Sequence, residues 1–279
     1  MPISEVKHGD CLELMPLIPD KSIDMILCDL PYGTTACKWD TVIPFDKLWE
    51  QYDRIIKPKG AVVLTASQPF TSALLMSNPK WFRHEWIWQK NRGSNFALLK
   101  WQPFKEHESV LVFSKETANY YPIKEERSES GKNRCAYTFN NKVTSETINN
   151  KTFYNQDGER RSLDENLRNP SSIQKFNIEV GFHPTQKPVA LFEYFIKTYT
   201  NEGETVLDNC AGSGTTAIAC INTNRNYICI EKEQDYYNIA RVRIDAWEKE
   251  KDLENRTGKN SRDEVLFCPK CESKDLKYY

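Results

Sequence analysis

Asp29-Leu30-Pro31-Tyr32-Gly33 follows the apolar run Ile23–Cys28 with a carboxylate, a rigid proline and an aromatic ring. An acid can accept N–H bonds while the ring stacks on a flat substrate, a pairing suited to orienting a weak nucleophile. A simple strand-ending turn accounts for the same residues, since proline fixes φ and glycine permits what others avoid. A second cluster, "VLDNCAGSGTTA" at 206–217, holds Gly212, Gly214 and Ala217 in the G-x-G-x-x-A spacing that lets backbone approach a nucleoside. Glu231 stands 19 positions after Gly212, at the end of the next apolar run, where an acid can accept from both ribose hydroxyls. No lysine follows the glycines, which excludes a phosphate-binding loop for a nucleoside triphosphate. Two cofactors remain, NAD and S-adenosylmethionine. A pyrophosphate wants a helix N-terminus, whereas a sulfonium wants carboxylates, which Asp29 and Asp208 could supply.

These residues need a frame. Ile23–Cys28 reads as a buried strand. Residues 45–56 have helical spacing through Leu48, Tyr52 and Ile55-Ile56, Pro58-Lys59-Gly60 reads as a stop, and Ala61–Thr65 as the next strand. Strand, helix and strand of these lengths predict a βαβ unit and a parallel sheet. "HESVLVFSK" at 107–115 is a further strand. After Pro188 the pattern returns as helix 189–200, strand 205–210, a glycine turn, helix 215–223 and strand 226–233. Between them, residues 115–182 are polar and Asn- and Ser-rich, the texture of a disordered insertion or a variable recognition region on a rigid scaffold. Beyond 245 a charged segment reads as a solvated helix or linker, ending in Cys268-Pro-Lys-Cys271.

The 279 residues suffice for one large α/β domain with an insertion or two modest domains. Hydrophobic residues at 39% and charged residues at 28% exclude a disordered or fibrous chain. No run of about 18 apolar residues occurs and the first residues lack a secretory pattern, so a cytoplasmic protein without a membrane partner is expected. Nine cysteines, mostly single within apolar runs, fit reduced thiols. A net charge of −1 gives no global pull on nucleic acid, so any such surface must be local.

Taken together, "HGDCLELM" at 8–15, "DLPYG", "IKPKGAVVLT", "HPTQKP" at 183–188, "LDNCAGSGTT" and "ICIEKE" resemble the amino-group (N6-adenine or N4-cytosine) DNA methyltransferases. The likeness spans residues 4–240 and is to the class whose catalytic Asp-Pro-Pro-Tyr-type motif precedes the cofactor loop. It implies a Rossmann-like, mostly parallel sheet flanked by helices, a circularly permuted motif order and an inserted target-recognition region. The implied divisions are 1–114 for the catalytic half, 115–182 for recognition, 183–245 for the cofactor half and 246–279 for a charged linker with the CxxC tail. S-adenosylmethionine is the implied cofactor and double-stranded DNA the partner. Two copies often pair in this family, although no interface is legible here, and no motif names a companion restriction endonuclease or the sequence read.

By resemblance, Asp29, Leu30, Pro31 and Tyr32 are catalytic. The exocyclic amine is a poor nucleophile because its lone pair is delocalised into the ring. Asp29 and a carbonyl near Leu30 or Pro31 would accept its two N–H groups and free the lone pair, while Tyr32 stacks on the flipped base. Asp10 and Cys11 would meet the cofactor's adenine and Glu231 its ribose, with Asp208, Cys210, Ala211, Gly212, Gly214 and Thr215 forming its loop. His183, Thr185 and Lys187 would face the methionine end, Lys187 opposite the carboxylate; His183 reads equally as a capping histidine. The family's Asp-Pro-Phe is Asp208-Asn209-Cys210 here, and Leu30 replaces its first proline. An acid at the head of the catalytic motif points to adenine, where serine would have suggested cytosine.

Residues 80–105 carry six lysines and arginines against one acid, interleaved with aromatics. Lys90-Asn91-Arg92-Gly93 is expected to touch phosphates or flanking bases, and Trp86 and Trp88 to alternate into the core. Cys268 and Cys271 have zinc-knuckle spacing, but no second CxxC completes four ligands, so no metal is expected. The rival readings are a cytosine-N4 enzyme of the same build, a nicotinamide oxidoreductase using the glycine loop, and a catalytically silent DNA-binding protein.

Overall fold

The computed structural model describes residues 4–35, 37, 40–140, 166–179, 181 and 186–257. The described residues fall into two compact units, those within 1–121 and 172–279 in one and those within 122–171 in the other. The first is built on an eight-stranded sheet. Its strands are β1 (Glu5–His8), β2 (Ile23–Cys28), β3 (Ile56–Ala66), β4 (Phe82–Gln89), β5 (His107–Phe113), β8 (Ile173–Lys175), β9 (Thr205–Asp208) and β10 (Asn226–Glu231). The spatial order is β1-β10-β9-β2-β3-β5-β4-β8. Only β3–β5 and β5–β4 are antiparallel; the other neighbours run parallel. The expected Rossmann-like sheet is therefore present, with β9 and β10, late in the chain, slotted between β1 and β2.

Side-chain alternation along each strand divides the core into two layers. Met25 and Leu27 point to one face, with Val63, Val206 and Cys229, under α5 (Val189–Tyr199), α6 (Thr215–Asn222) and α7 (Gln234–Thr257). Ile26 and Cys28 point to the other, with Leu64, Leu207 and Ile230, under α1 (Cys11–Leu14), α2 (Phe45–Ile55) and α3 (Phe70–Ser77). Because both faces are covered, β2 is apolar but for Asp24, and every one of its residues is buried. Trp86 and Trp88 of β4 are core, as their alternation predicts. α7 runs unbroken across position 245.

One expected stop is absent. Pro58-Lys59-Gly60 does not end the segment before β3; it lies inside that strand, which begins at Ile56. The step from Ile23 to Met25 on β2 is matched by the step from Ile56 to Ala61 on β3, so the three residues bulge out of the ladder. Their carbonyls find other donors, the Pro58 oxygen accepting from the Glu116 amide and the Lys59 oxygen from the Asn119 amide. A side chain at Gly60 would meet the Asp24 carbonyl at 2.8 Å.

The second unit pairs β6 (Glu125–Glu126) with β7 (Leu167–Arg168) antiparallel and carries α4 (Glu129–Asn140). Arg168 and Glu125 form an ion pair across the two strands at 2.9 Å. Among the described residues, no helix is long and apolar enough to cross a membrane.

Candidate active site

β2 and β9 are parallel neighbours, so the loops leaving their carboxyl ends open at the same edge of the sheet. A cavity of about 640 Å³ lies there, lined from one side by Asp29–Tyr32 and from the other by Asp208–Ser213. Asp10, Cys11, Lys187 and Glu231 also line it. The two motifs, 179 positions apart as counted from Asp29 to Asp208, thus share one chamber.

Asp29 is held from several directions. Its Oδ1 accepts from the Tyr32 hydroxyl at 2.8 Å and from the Thr65 hydroxyl. Its Oδ2 accepts from Lys187 Nζ at 2.7 Å. Lys187 also lies 3.4 Å from Glu108 Oε2, and Glu108 in turn pairs with Lys90. Two acids and two lysines therefore balance inside the chamber. Burial works to discharge Lys187, but Asp29 and Glu108 outweigh it and raise its pKa, so the ammonium stays charged. Burial would likewise raise Glu108, yet Lys187 and Lys90 overcome it and hold the carboxylate below its usual range. Tyr32 stacks on Phe70, ring centroids 5.0 Å apart, and Leu30 turns into the core.

The loop after Tyr32 hangs on a single acid. Asp40 accepts from the amides of Gly33, Thr34 and Thr35 at 2.8, 2.9 and 2.7 Å. Burial pushes its carboxyl up, but these bonds prevail and the pKa is lowered.

On the facing side, Gly212 and Gly214 both adopt positive φ, 52° and 81°. A Cβ at Gly214 would press on Ala240 and Ile244 at 3.2 Å, so only glycine lets α7 close over the loop. Glu231 accepts from the Gly212 and Glu233 amides at 2.7 and 2.8 Å, fixing the loop to the end of β10. Arg243 of α7 adds bonds to the Ser213 carbonyl and the Thr215 hydroxyl. Asp208 accepts from the Cys210 amide at 3.0 Å and from the Thr216 hydroxyl; burial pushes its pKa up to about 6. Asp10 caps α1 through the Leu12 amide at 2.9 Å and pairs with Lys232 at 3.0 Å.

The departures from the family's Asp-Pro-Phe have a local explanation. Asn209 is buried and accepts the Tyr52 hydroxyl of α2 at 2.6 Å, a tie that proline could not make. Cys210 packs with the apolar layer beneath α1 and α2.

The geometry brings together Asp10, Cys11, Asp29–Tyr32, Lys187, Asp208, Cys210–Gly212, Thr215 and Glu231 around the cavity. Lys187 points to Asp29 and Glu108 in this arrangement. Lys90 is drawn inward to Glu108, its Nζ 4.9 Å from the Trp88 ring centroid, while Asn91 accepts the Ile178 amide and Arg92 stays exposed. His183, Thr185, Cys268 and Cys271 lie outside the described residues. Thr65, Glu108, Asp40 and Tyr52 carry no motif and were not singled out from the sequence; only Glu108, a charged residue opening the apolar run of β5, left a signal there.

Comparison with known proteins identifies the family and the fold. The type II methyltransferase M.HpaI of Haemophilus parainfluenzae is 27% identical over 251 residues, 85% of this chain and 73% of that protein. The M1.HpyAVI–SAM complex superposes with a TM-score of 0.57 at 24% identity, over 86% of this chain and 100% of the other. The cytosine-N4-specific PvuII DNA methyltransferase superposes with a TM-score of 0.60 at 17% identity, over 91% and 93%. Both structural likenesses speak to the fold. The model of the N6_N4_Mtase family, described as DNA methylase, matches residues 23–242, and by that match over most of its length the chain belongs to this family of DNA methylases.

Proposed function

We propose that the protein transfers a methyl group from S-adenosylmethionine to N6 of adenine in double-stranded DNA, acting on a base swung out of the helix. The observation that carries this reading is the single cavity shared by Asp29–Tyr32 and the glycine loop. Its lining fits a sulfonium nucleoside better than a dinucleotide, because Asp10, Asp29, Asp208 and Glu231 gather around it and carboxylates oppose a pyrophosphate. That chemistry, together with family membership, sets the oxidoreductase reading aside.

S-adenosylmethionine, when bound, supplies an electrophilic methyl group on a positively charged sulfur. Asp10 and Cys11 are assigned to its adenine, Glu231 to its ribose, and His183, Thr185 and Lys187 to its methionine end. Among the described residues Asp29 Oδ2 accepts one hydrogen bond, from Lys187, so it keeps a lone pair for a substrate N–H. A main-chain carbonyl near Leu30 or Pro31 takes the second N–H, and the nitrogen lone pair then faces across the cavity. Asp29 can also receive the proton that the alkylated nitrogen sheds. Tyr32, its hydroxyl tied to Asp29, offers a ring fixed in place for stacking. Catalysis rests on positioning and electrostatics rather than on a strong base.

The acid at position 29 favours adenine; the fold shared with a cytosine-N4-specific enzyme supports N4 of cytosine as the second reading. Residues 115–182 are assigned to target recognition; within them, 122–171 cluster as a compact unit of their own. The test is incubation of unmodified DNA with labelled S-adenosylmethionine, followed by nucleoside mass spectrometry and sequencing of the modified positions. N6-methyladenine is expected. N4-methylcytosine would replace the adenine reading, and DNA left unmodified by folded protein would leave only a silent binder.

A further inference from the structure

The connection between β4 and β5 is a braced hairpin crown with an apolar top. Lys90 donates its amide to Glu106 at 2.8 Å and Ser94 to Lys105 at 3.3 Å. Asn95 accepts the Lys105 amide at 2.7 Å and donates its own side-chain N–H to the Pro103 carbonyl at 3.0 Å. Phe104 lies over Gly93, where a Cβ would meet its ring at 2.8 Å, and Phe96 packs edge-on against it at 4.8 Å between centroids. A crown so tied could turn its apolar side chains inward, yet Leu98 and Leu99 are exposed and Trp101 is 73% exposed.

Two observations say what covers this top. From Lys90 to Lys105 there are four cations and no acid; Lys90 turns inward to Glu108, whereas Arg92 and Lys100 are exposed, Lys100 Nζ 5.7 Å from the Trp101 ring centroid. The foot of the crown, Ser94 and Lys105, lines the same cavity as Asp29 and Tyr32. Apolar side chains flanked by the exposed Arg92 and Lys100, at the lip of the chamber proposed to receive a base, match a polyanion with an apolar interior. Duplex DNA is such a partner.

Resting on the methyltransferase reading, we propose that this crown is a wedge: Trp101 enters the stack where the target base has left, flanked by Leu98 and Leu99, with Arg92 and Lys100 on the adjoining phosphates. Removing a base from the stack opens a gap beside its neighbours, and a flat apolar side chain filling it keeps the base from returning. Trp101 is the widest flat surface on the crown and its most exposed aromatic side chain.

The test compares wild type, Trp101→Ala and Trp101→Phe on two duplexes carrying the methylated sequence, one fully paired and one with an abasic site opposite the target base. Trp101→Ala should lower the methylation rate on the paired duplex by about tenfold or more, and by much less on the duplex whose target is already unpaired. 2-Aminopurine at the target should brighten on binding wild type or Trp101→Phe but not Trp101→Ala. Equal losses on both duplexes, or none, would overturn the wedge. So would full activity with altered sedimentation, which would give the patch to a second copy of the chain. Wild type inactive on both duplexes would overturn the methyltransferase reading itself.

Discussion

Lys187 Nζ sits between two carboxylates, 2.7 Å from Asp29 Oδ2 and 3.4 Å from Glu108 Oε2. The lysine is therefore shared, and Glu108 is placed to hold it if Asp29 is engaged elsewhere. Removing Asp29 leaves Lys187 one counter-charge, whereas removing Glu108 leaves two lysines competing for a single acid. Asp29→Ala should cut methyl transfer by about 10²–10³-fold while circular dichroism stays close to wild type. Turnover within tenfold of wild type, on the order of a single hydrogen bond, would contradict its role.

Glu108→Gln keeps the shape and removes the charge. With Lys90 and Lys187 no longer balanced, unfolding free energy should fall by about 3 kcal/mol, as when one partner of a buried pair is lost. Lys187 should settle more tightly on Asp29 and turnover should fall, with little change in KM for DNA. Urea unfolding and steady-state kinetics read the two effects separately.

Asp208 makes stability depend on pH. Its folded pKa, raised by burial to about 6, exceeds the value near 4 of an unfolded carboxyl, so the folded state binds the proton more tightly. Its contribution therefore favours folding at low pH and is lost as pH rises from about 4 to about 6. Asp208→Asn removes that loss and should stabilise the protein above that window by at most roughly 2–3 kcal/mol. Urea unfolding near pH 4.5 and near pH 8 gives the comparison, and an unchanged difference between the two would contradict it.

Tyr52→Phe deletes the hydroxyl that holds Asn209 and leaves a buried acceptor without that donor. A loss of about 1–3 kcal/mol in stability is expected, together with weaker binding of S-adenosylmethionine by calorimetry.

Arg92→Ala should weaken DNA binding and reduce the slope of log K against log salt by about one. Lys90→Ala should instead destabilise the fold, because that lysine balances Glu108. A steeper or equal salt slope for the arginine variant would remove Arg92 from the phosphate contacts.

The parts of the site legible in the sequence are those whose chemistry is local. Asp29 through Tyr32 and the two glycines follow apolar strands and Glu231 ends one, so type and spacing alone placed them at strand ends. Thr65 was not legible, and Glu108 showed only as a charge at the start of an apolar strand, because what they do depends on β3, β5 and Lys187 meeting in space. Asp40 stood only a few positions beyond Tyr32, yet its three amide bonds depend on a loop conformation that no periodicity encodes. The misplaced stop at Pro58-Lys59-Gly60 has the same origin. Turn residues mark where the backbone departs from regularity, and here it departs sideways, in a bulge that other segments hydrogen-bond, before resuming the same strand.

The side-by-side pairing of β2 and β9 has a mechanical consequence. Two rods clamped along a common rail tilt and shiver together, so under the proposed function the seats assigned to the methyl acceptor and its donor keep their spacing through thermal motion. Alignment for the transfer is then a property of the rigid floor rather than of a closing jaw.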